Sequence, residues 1–280
     1  MKNYLLKIQY EGTDFVGWQK QNLPNANNRS VQESVEIALS QLLCQPVTIN
    51  GAGRTDAGVH GLGQTANFLA DTTVPAENMA YALNGMLPKD IHILDCKEVP
   101  LDFHARYSAI GKHYEYYLLN KTYHTAFSWR NAYVCNYNLD YDLMAETAKI
   151  FEGKHSLKSF TANGNPVKSY EREIWHCGIT KVENNTELPW QKTVDLWKLS
   201  IIGSGFLYKT VRLIMGGLIA VSRGKITKEE LQYALDNPGG IIAPSAPPEG
   251  LYMKEVFYDQ ELLKERINLE KNLLKTGKNY

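Results

Sequence analysis

The chain has 280 residues, with 44% hydrophobic and 21% charged side chains, the composition of a globular protein long enough for two domains of about 100–150 residues. Its 30 basic residues balance its 30 acidic ones, which weighs against nucleic-acid binding unless positive charge is gathered in one cleft. Cys44, Cys96, Cys135 and Cys177 form no C-x-x-C pair, which excludes a zinc knuckle or a disulfide framework. No apolar run approaches the about 18 residues of a membrane span.

The N-terminal MKNYLLKIQYEG turns polar too soon for a signal peptide, so a reduced, cytoplasmic protein is expected, in which the sequon at Asn184 goes unused. Tyr4 to Tyr10 alternate as a half-buried strand, and Asn22 to Asn28 read as an exposed loop. Ser30-Val31-Gln32-Glu33 is a capping box opening a helix to about Leu43, with Val31, Val35, Ala38, Leu39 and Leu42 on one face. Val47-Thr48-Ile49 then leads into residues 51–64, GAGRTDAGVHGLGQ, which hold five glycines in fourteen positions, and 64–68 lead out. This is a loop between two strands, able to take positive φ and to approach a bound group closely. It lacks the Gly-Lys-Ser/Thr ending of a phosphate-binding P-loop, and Asp56 stands where a dinucleotide fingerprint needs its third glycine.

A helix from about Pro75 to Pro88 and a strand Ile91–Val99 complete an order of strand, helix, strand, strand, helix, strand, that of a ferredoxin-like or RNA-recognition-like unit. His104 to Asn120 is strand-like and rich in tyrosine. A helix Tyr141–Phe151, strands near Glu171–Lys181 and Thr193–Ile202, a helix Leu207–Val221, a short helix capped at Thr227 and a strand Leu251–Tyr258 follow. The charged tail from Gln260 reads as a solvated terminal helix. The fold class is α+β: two halves with mainly antiparallel sheets, 1–103 carrying the glycine-rich loop and 104–259 completing a central cleft, with 260–280 as tail.

GAGRTDAGVHG resembles the active-site motif of the tRNA pseudouridine synthase A (TruA) family. YEGTDFVGWQ, SVQE, DFHARYSA, KHYEYYLLN, GFLYKTVR and APPEGLY resemble its other landmarks, in the same order along nearly the whole chain. The resemblance implies a homodimer that binds a tRNA anticodon arm and isomerises uridine at tRNA positions 38–40, without metal or cofactor. It implies Asp56 as the catalytic carboxylate, kept ionised beside Arg54. Arg54 and Arg106 would fill the gap left by a flipped base or bind phosphate, and Tyr114 would stack on the uracil. Arg212, costly to bury unpaired on an otherwise apolar helix, would pair with Asp56, and Leu251 would line the pocket. His60 is taken as structural. The chain departs from the family at Glu173, where threonine is usual, and at Pro248, where alanine is usual. Two other readings remain open on the residues alone: an RNA-binding protein without catalysis, and an N-glycosidase acting on free nucleosides.

Overall fold

A computed structural model describes residues 1–20, 29–120, 129–162, 167–182, 195–240 and 242–276; the asparagine-rich loop and the Asn184 sequon lie outside them. The chain divides into two compact units, Met1–Ile110 with Tyr252–Tyr258, and Gly111–Leu251 with Asp259–Tyr280. As expected from the sequence, both mix helices with mainly antiparallel sheet. Among the described residues no helix is long and apolar enough to cross a membrane.

The first unit is built from β1 (Lys2–Tyr10), α1 (Val31–Leu43), β2 (Asn50–Gly51), β3 (His60–Ala70), α2 (Ala76–Met86) and β4 (Ile91–Val99), with β10 (Leu251–Phe257) returning to it. Its sheet runs β4-β1-β3-β10, with β2 paired to β3. Alternation along β1 turns Leu6 and Ile8 into a core shared with Val35, Leu39, Phe68, Met79, Leu83 and Ile93. The Ser30 hydroxyl accepts from the Glu33 N–H at 3.2 Å and starts α1. Two local expectations change. Val47 to Ile49 are not strand, and β3 begins at His60, inside the glycine-rich stretch, so the loop itself is only residues 52–59. Residues 104–110 are loop, with ladder pairing of β5 starting only at Lys112, opposite Gly203.

The second unit holds β5 (Gly111–Asn120), β6 (Tyr133–Cys135), α3 (Tyr141–Ala148), β7 (Gly153–Ser156), β8 (Glu171–Lys181), β9 (Leu196–Gly203), α4 (Thr210–Ser222), α5 (Lys228–Asp236) and α6 (Gln260–Thr276). Its sheet runs β5-β9-β8-β7, with β6 on β5. The Thr227–Glu230 capping box closes the start of α5. Strand alternation gives this sheet two unlike faces. Tyr114, Tyr116 and Leu118 point one way with Leu199 and Ile201; His113 and Glu115 point the other way with Lys198, Ser200 and His176.

The helix α6 is packed on that polar face and is not a free solvated helix. Leu263 lies over Gly111 and Leu274 over Gly178, while Leu273 and Glu270 are buried. The Lys198 ammonium lies 3.0 Å from Glu115 and 3.5 Å from Glu270, so one cation and two carboxylates leave water together, both carboxylates facing the same ammonium.

Candidate active site

The loop 52–59 leaves the β2–β3 ladder where the Ala52 N–H donates to Thr65 O at 2.8 Å. It returns through a turn in which the Val59 N–H donates to Asp56 O at 3.2 Å, with Gly58 at φ 77°. That left-handed conformation favours glycine. The segment that follows β1 braces the loop from below. The Tyr10 hydroxyl and Thr55 Oγ1 are 2.8 Å apart, and the Trp18 N–H donates to Thr55 O at 3.1 Å. From the far side the Gln64 amide donates to Gly53 O at 2.8 Å.

Two glycines make this approach possible. A Cβ on Gly12 would lie 2.0 Å from Val59 O, and one on Gly17, at φ +107°, would lie 2.5 Å from Thr55 O. Gly53 and Thr55 are therefore anchored, and the residues that alternate with them are displayed: Arg54 is exposed and Asp56 half-buried. Tyr10, Gly12 and Gly17 are the functional residues that reading the loop alone misses. Their signal in the sequence is the pair of glycines placed two and seven residues beyond a strand end that faces the loop only in the fold.

Burial holds the Tyr10 hydroxyl well above the usual tyrosine range, against the opposing effect of its bond to Thr55, so it stays protonated at neutral pH. The imidazole of His60 is buried and stacked on Tyr252 at 4.5 Å, and its Nδ1 accepts the Gly12 N–H at 3.0 Å. That bond puts the ring proton of the neutral imidazole on Nε2 and makes His60 part of the brace.

Arg106 is exposed on the loop after β4, in the same unit as Arg54 and Asp56. Tyr114, Arg212 and Leu251 belong to the second unit. Tyr114 is buried on β5 with Phe206 edge-on to its ring at 5.2 Å. Arg212 is buried in the first turn of α4, where its Nε donates to Ala246 O at 2.7 Å while the Ala246 N–H donates to Arg212 O at 2.9 Å. One turn on, Gly216 admits the Pro244 carbonyl, which would lie 1.9 Å from an added Cβ. The Tyr116 hydroxyl donates to Pro247 O at 2.9 Å and its ring lies against Gly250. The 244–250 loop is thereby fixed to α4 and β5 before the chain reaches buried Leu251.

The first unit supplies a carboxylate on a braced loop, with the exposed Arg54 two residues before it and the exposed Arg106 elsewhere in the same unit; the second unit holds a tyrosine ring fixed by packing. A carboxylate so placed serves as nucleophile or as anionic base. His113, Glu115 and Glu270 come within metal-ligand reach of one another, and the Lys198 ammonium already pairs with both glutamates.

A family profile described as tRNA pseudouridine synthase matches residues 7–108 and 147–259. The chain is 39% identical over 259 residues to tRNA pseudouridine synthase A of Acetivibrio thermocellus, covering 92% of this chain and 100% of that protein. It is 37% identical to tRNA pseudouridine synthase A 2 of Clostridium tetani, over 92% and 99% of the two chains. The match to the enzyme of Ruminiclostridium cellulolyticum is 37% over 266 residues, or 92% and 100%.

Proposed function

Because the chain belongs to the tRNA pseudouridine synthase family, and is thus an isomerase of tRNA uridine, we propose that Asp56 is its catalytic carboxylate and the anticodon arm its target. The observation that carries this reading is the brace around residues 52–59, which fixes the backbone on both sides of Asp56 and leaves its side chain partly open.

The reaction breaks the N1–C1′ bond of the uridine, turns the uracil and joins C1′ to C5; the C5 proton leaves to solvent and N1 gains one. Positive charge develops on the sugar as the base departs, and a carboxylate beside C1′ stabilises it. Asp56 either attacks C1′ or removes a proton from the sugar, and both routes need it ionised. Arg54 and Arg106 suit the vacated stack and the phosphates of a flipped nucleotide. Tyr114 holds the detached uracil, Leu251 gives the substrate an apolar wall, and Arg212 acts as a binding cation. No group donor, redox change or metal is required by the balance of this reaction.

Uridines at tRNA positions 38–40 are the proposed sites, the protein acts as a cytoplasmic homodimer, and the dimer gathers basic residues toward the RNA while the chain as a whole stays neutral. Tritium release from a tRNA transcript labelled at uridine C5 tests the central claim. Release by the parent chain and a loss of at least about 1,000-fold in Asp56→Asn, with tRNA binding retained, is expected. Binding by both without release by either would favour the non-catalytic alternative; free uracil from uridine would favour the glycosidase.

A further inference from the structure

The loop joining β4 to β5 is fastened to the first unit with unusual thoroughness for a surface connection. Asn3, 1% exposed, donates through Nδ2 to Pro100 O and Phe103 O, both at 2.9 Å. Asn67, 4% exposed, accepts the Ala105 N–H at 2.9 Å. The Tyr258 hydroxyl donates to Ala105 O at 2.7 Å, and burial raises its pKa to about 12, which keeps that donor protonated. Within the loop, the Arg106 N–H donates to His104 Nδ1 at 3.1 Å.

Two buried asparagines and the half-buried Tyr258 thus hold a backbone whose tip buries almost nothing. Tyr107 stands at that tip, 76% exposed. The His104 ring lies 4.4 Å from its ring centroid, and the Arg106 guanidinium 5.7 Å from it. Folding gains little from an aromatic ring left in water, yet the scaffold removes the loop's freedom before any ligand arrives. A largely exposed aromatic ring on a fastened loop, beside a guanidinium, matches the repeating chemistry of single-stranded RNA, a flat base next to a phosphate.

We propose that Tyr107 is a stacking platform for an unpaired nucleobase of the RNA substrate, with Arg106 on the adjoining phosphate. This site is additional to Tyr114. It rests on the reading that the chain acts on RNA, but does not depend on Asp56 being the catalytic group.

The test measures binding of an anticodon-arm transcript and of a full tRNA transcript to the full chain, by fluorescence anisotropy at fixed salt. Parent, Tyr107→Phe, Tyr107→Leu and Tyr107→Ala are compared, each first shown by thermal melting to be folded. Phe should bind within about twofold of the parent, while Leu and Ala should lose about five- to a hundredfold, the range of one lost stack. A 2-aminopurine placed at the loop position that meets Tyr107 should be quenched by the parent and bright with Tyr107→Leu. Equal binding by parent and Tyr107→Ala, or full retention by Tyr107→Leu, would overturn the proposal; the latter would mark an ordinary apolar contact. If those variants bind like the parent while Asp56→Asn still abolishes tritium release, the platform alone falls. A parent that binds neither RNA would remove both readings.

Discussion

The two units immobilise charged groups in opposite ways. In the first, Asp56 and Arg54 sit on a loop held by backbone contacts and by the Tyr10 and Gln64 side chains, with glycines at 12 and 17 letting two chain segments touch. In the second, charge is fixed by burial: Arg212 is buried on a helix, and Lys198 pairs with both Glu115 and Glu270 beneath α6. A backbone brace costs little stability to build but tolerates no added atom. A buried charge cluster tolerates neighbours but fails badly when one member is removed. Variants in the first unit should therefore lose activity more than stability, and variants under α6 the reverse.

The largest stability effect should come from Lys198→Met, which leaves two buried carboxylates without their cation. A loss of about 3–5 kcal/mol in urea unfolding is expected, with kcat of the folded fraction unchanged within about twofold, because Tyr114 faces the other side of the sheet. A fall in kcat as large as the fall in stability would break the contrast.

Acid should act on the same face. Burial, then Lys271 and Lys198, depress the pKa of His176 from 6.5 to about 4, and its Nδ1 has no hydrogen-bond partner among the described residues. Between those values the unfolded chain binds a proton that the folded chain refuses. Stability is therefore intact above pH 6.5 and falls by up to about 3 kcal/mol as pH drops to 4. His176→Gln should flatten that part of the curve; an unchanged slope would assign the proton elsewhere.

Gly12→Ala places a methyl against Val59 O and should cost about 1–3 kcal/mol, while lowering kcat by about 100-fold through displacement of the Asp56 turn. Tritium-release kinetics and melting of the same variant separate the two effects. Smallest is Tyr10→Phe, which removes one bond to Thr55. About 1 kcal/mol and a severalfold drop in kcat with KM unchanged are expected; a change confined to KM would mean that the hydroxyl serves binding.

Local rules made much of this fold readable. β4 and β8 fall on Ile91–Val99 and Glu171–Lys181 as their patterns indicate, and the Thr227 box begins α5 where its chemistry requires. What escaped the sequence were features made by distant segments. Nothing near Asp56 announces that Tyr10, Gly12 and Gly17 lie under it. Residues 104–120 read as one strand, although the first seven are loop, where Asn67 and Tyr258 hold both the N–H and the carbonyl of Ala105. The apolar spacing of α6 suggested a free helix because Glu270 reads as a solvated charge, and only Lys198 on another strand explains its burial. Of the proposed site, Arg54 and Asp56 were singled out from one loop and Arg212 from its isolation on an apolar helix; the bond from Arg212 to Ala246 had no signal in the sequence.

The region matched by the family ends at residue 259, immediately before α6 begins at Gln260. The surface under that helix is made largely of imidazole, carboxylate, ammonium and hydroxyl groups, with glycines where leucines seat. Were the helix to lift, water would meet charged groups it solvates well, and the buried Leu263 and Leu273 would be bared with them. The second unit is therefore closed by a helix that supplies both apolar contacts and one of three buried charges, whereas the loop around Asp56 is closed by glycines that leave no room for an added atom.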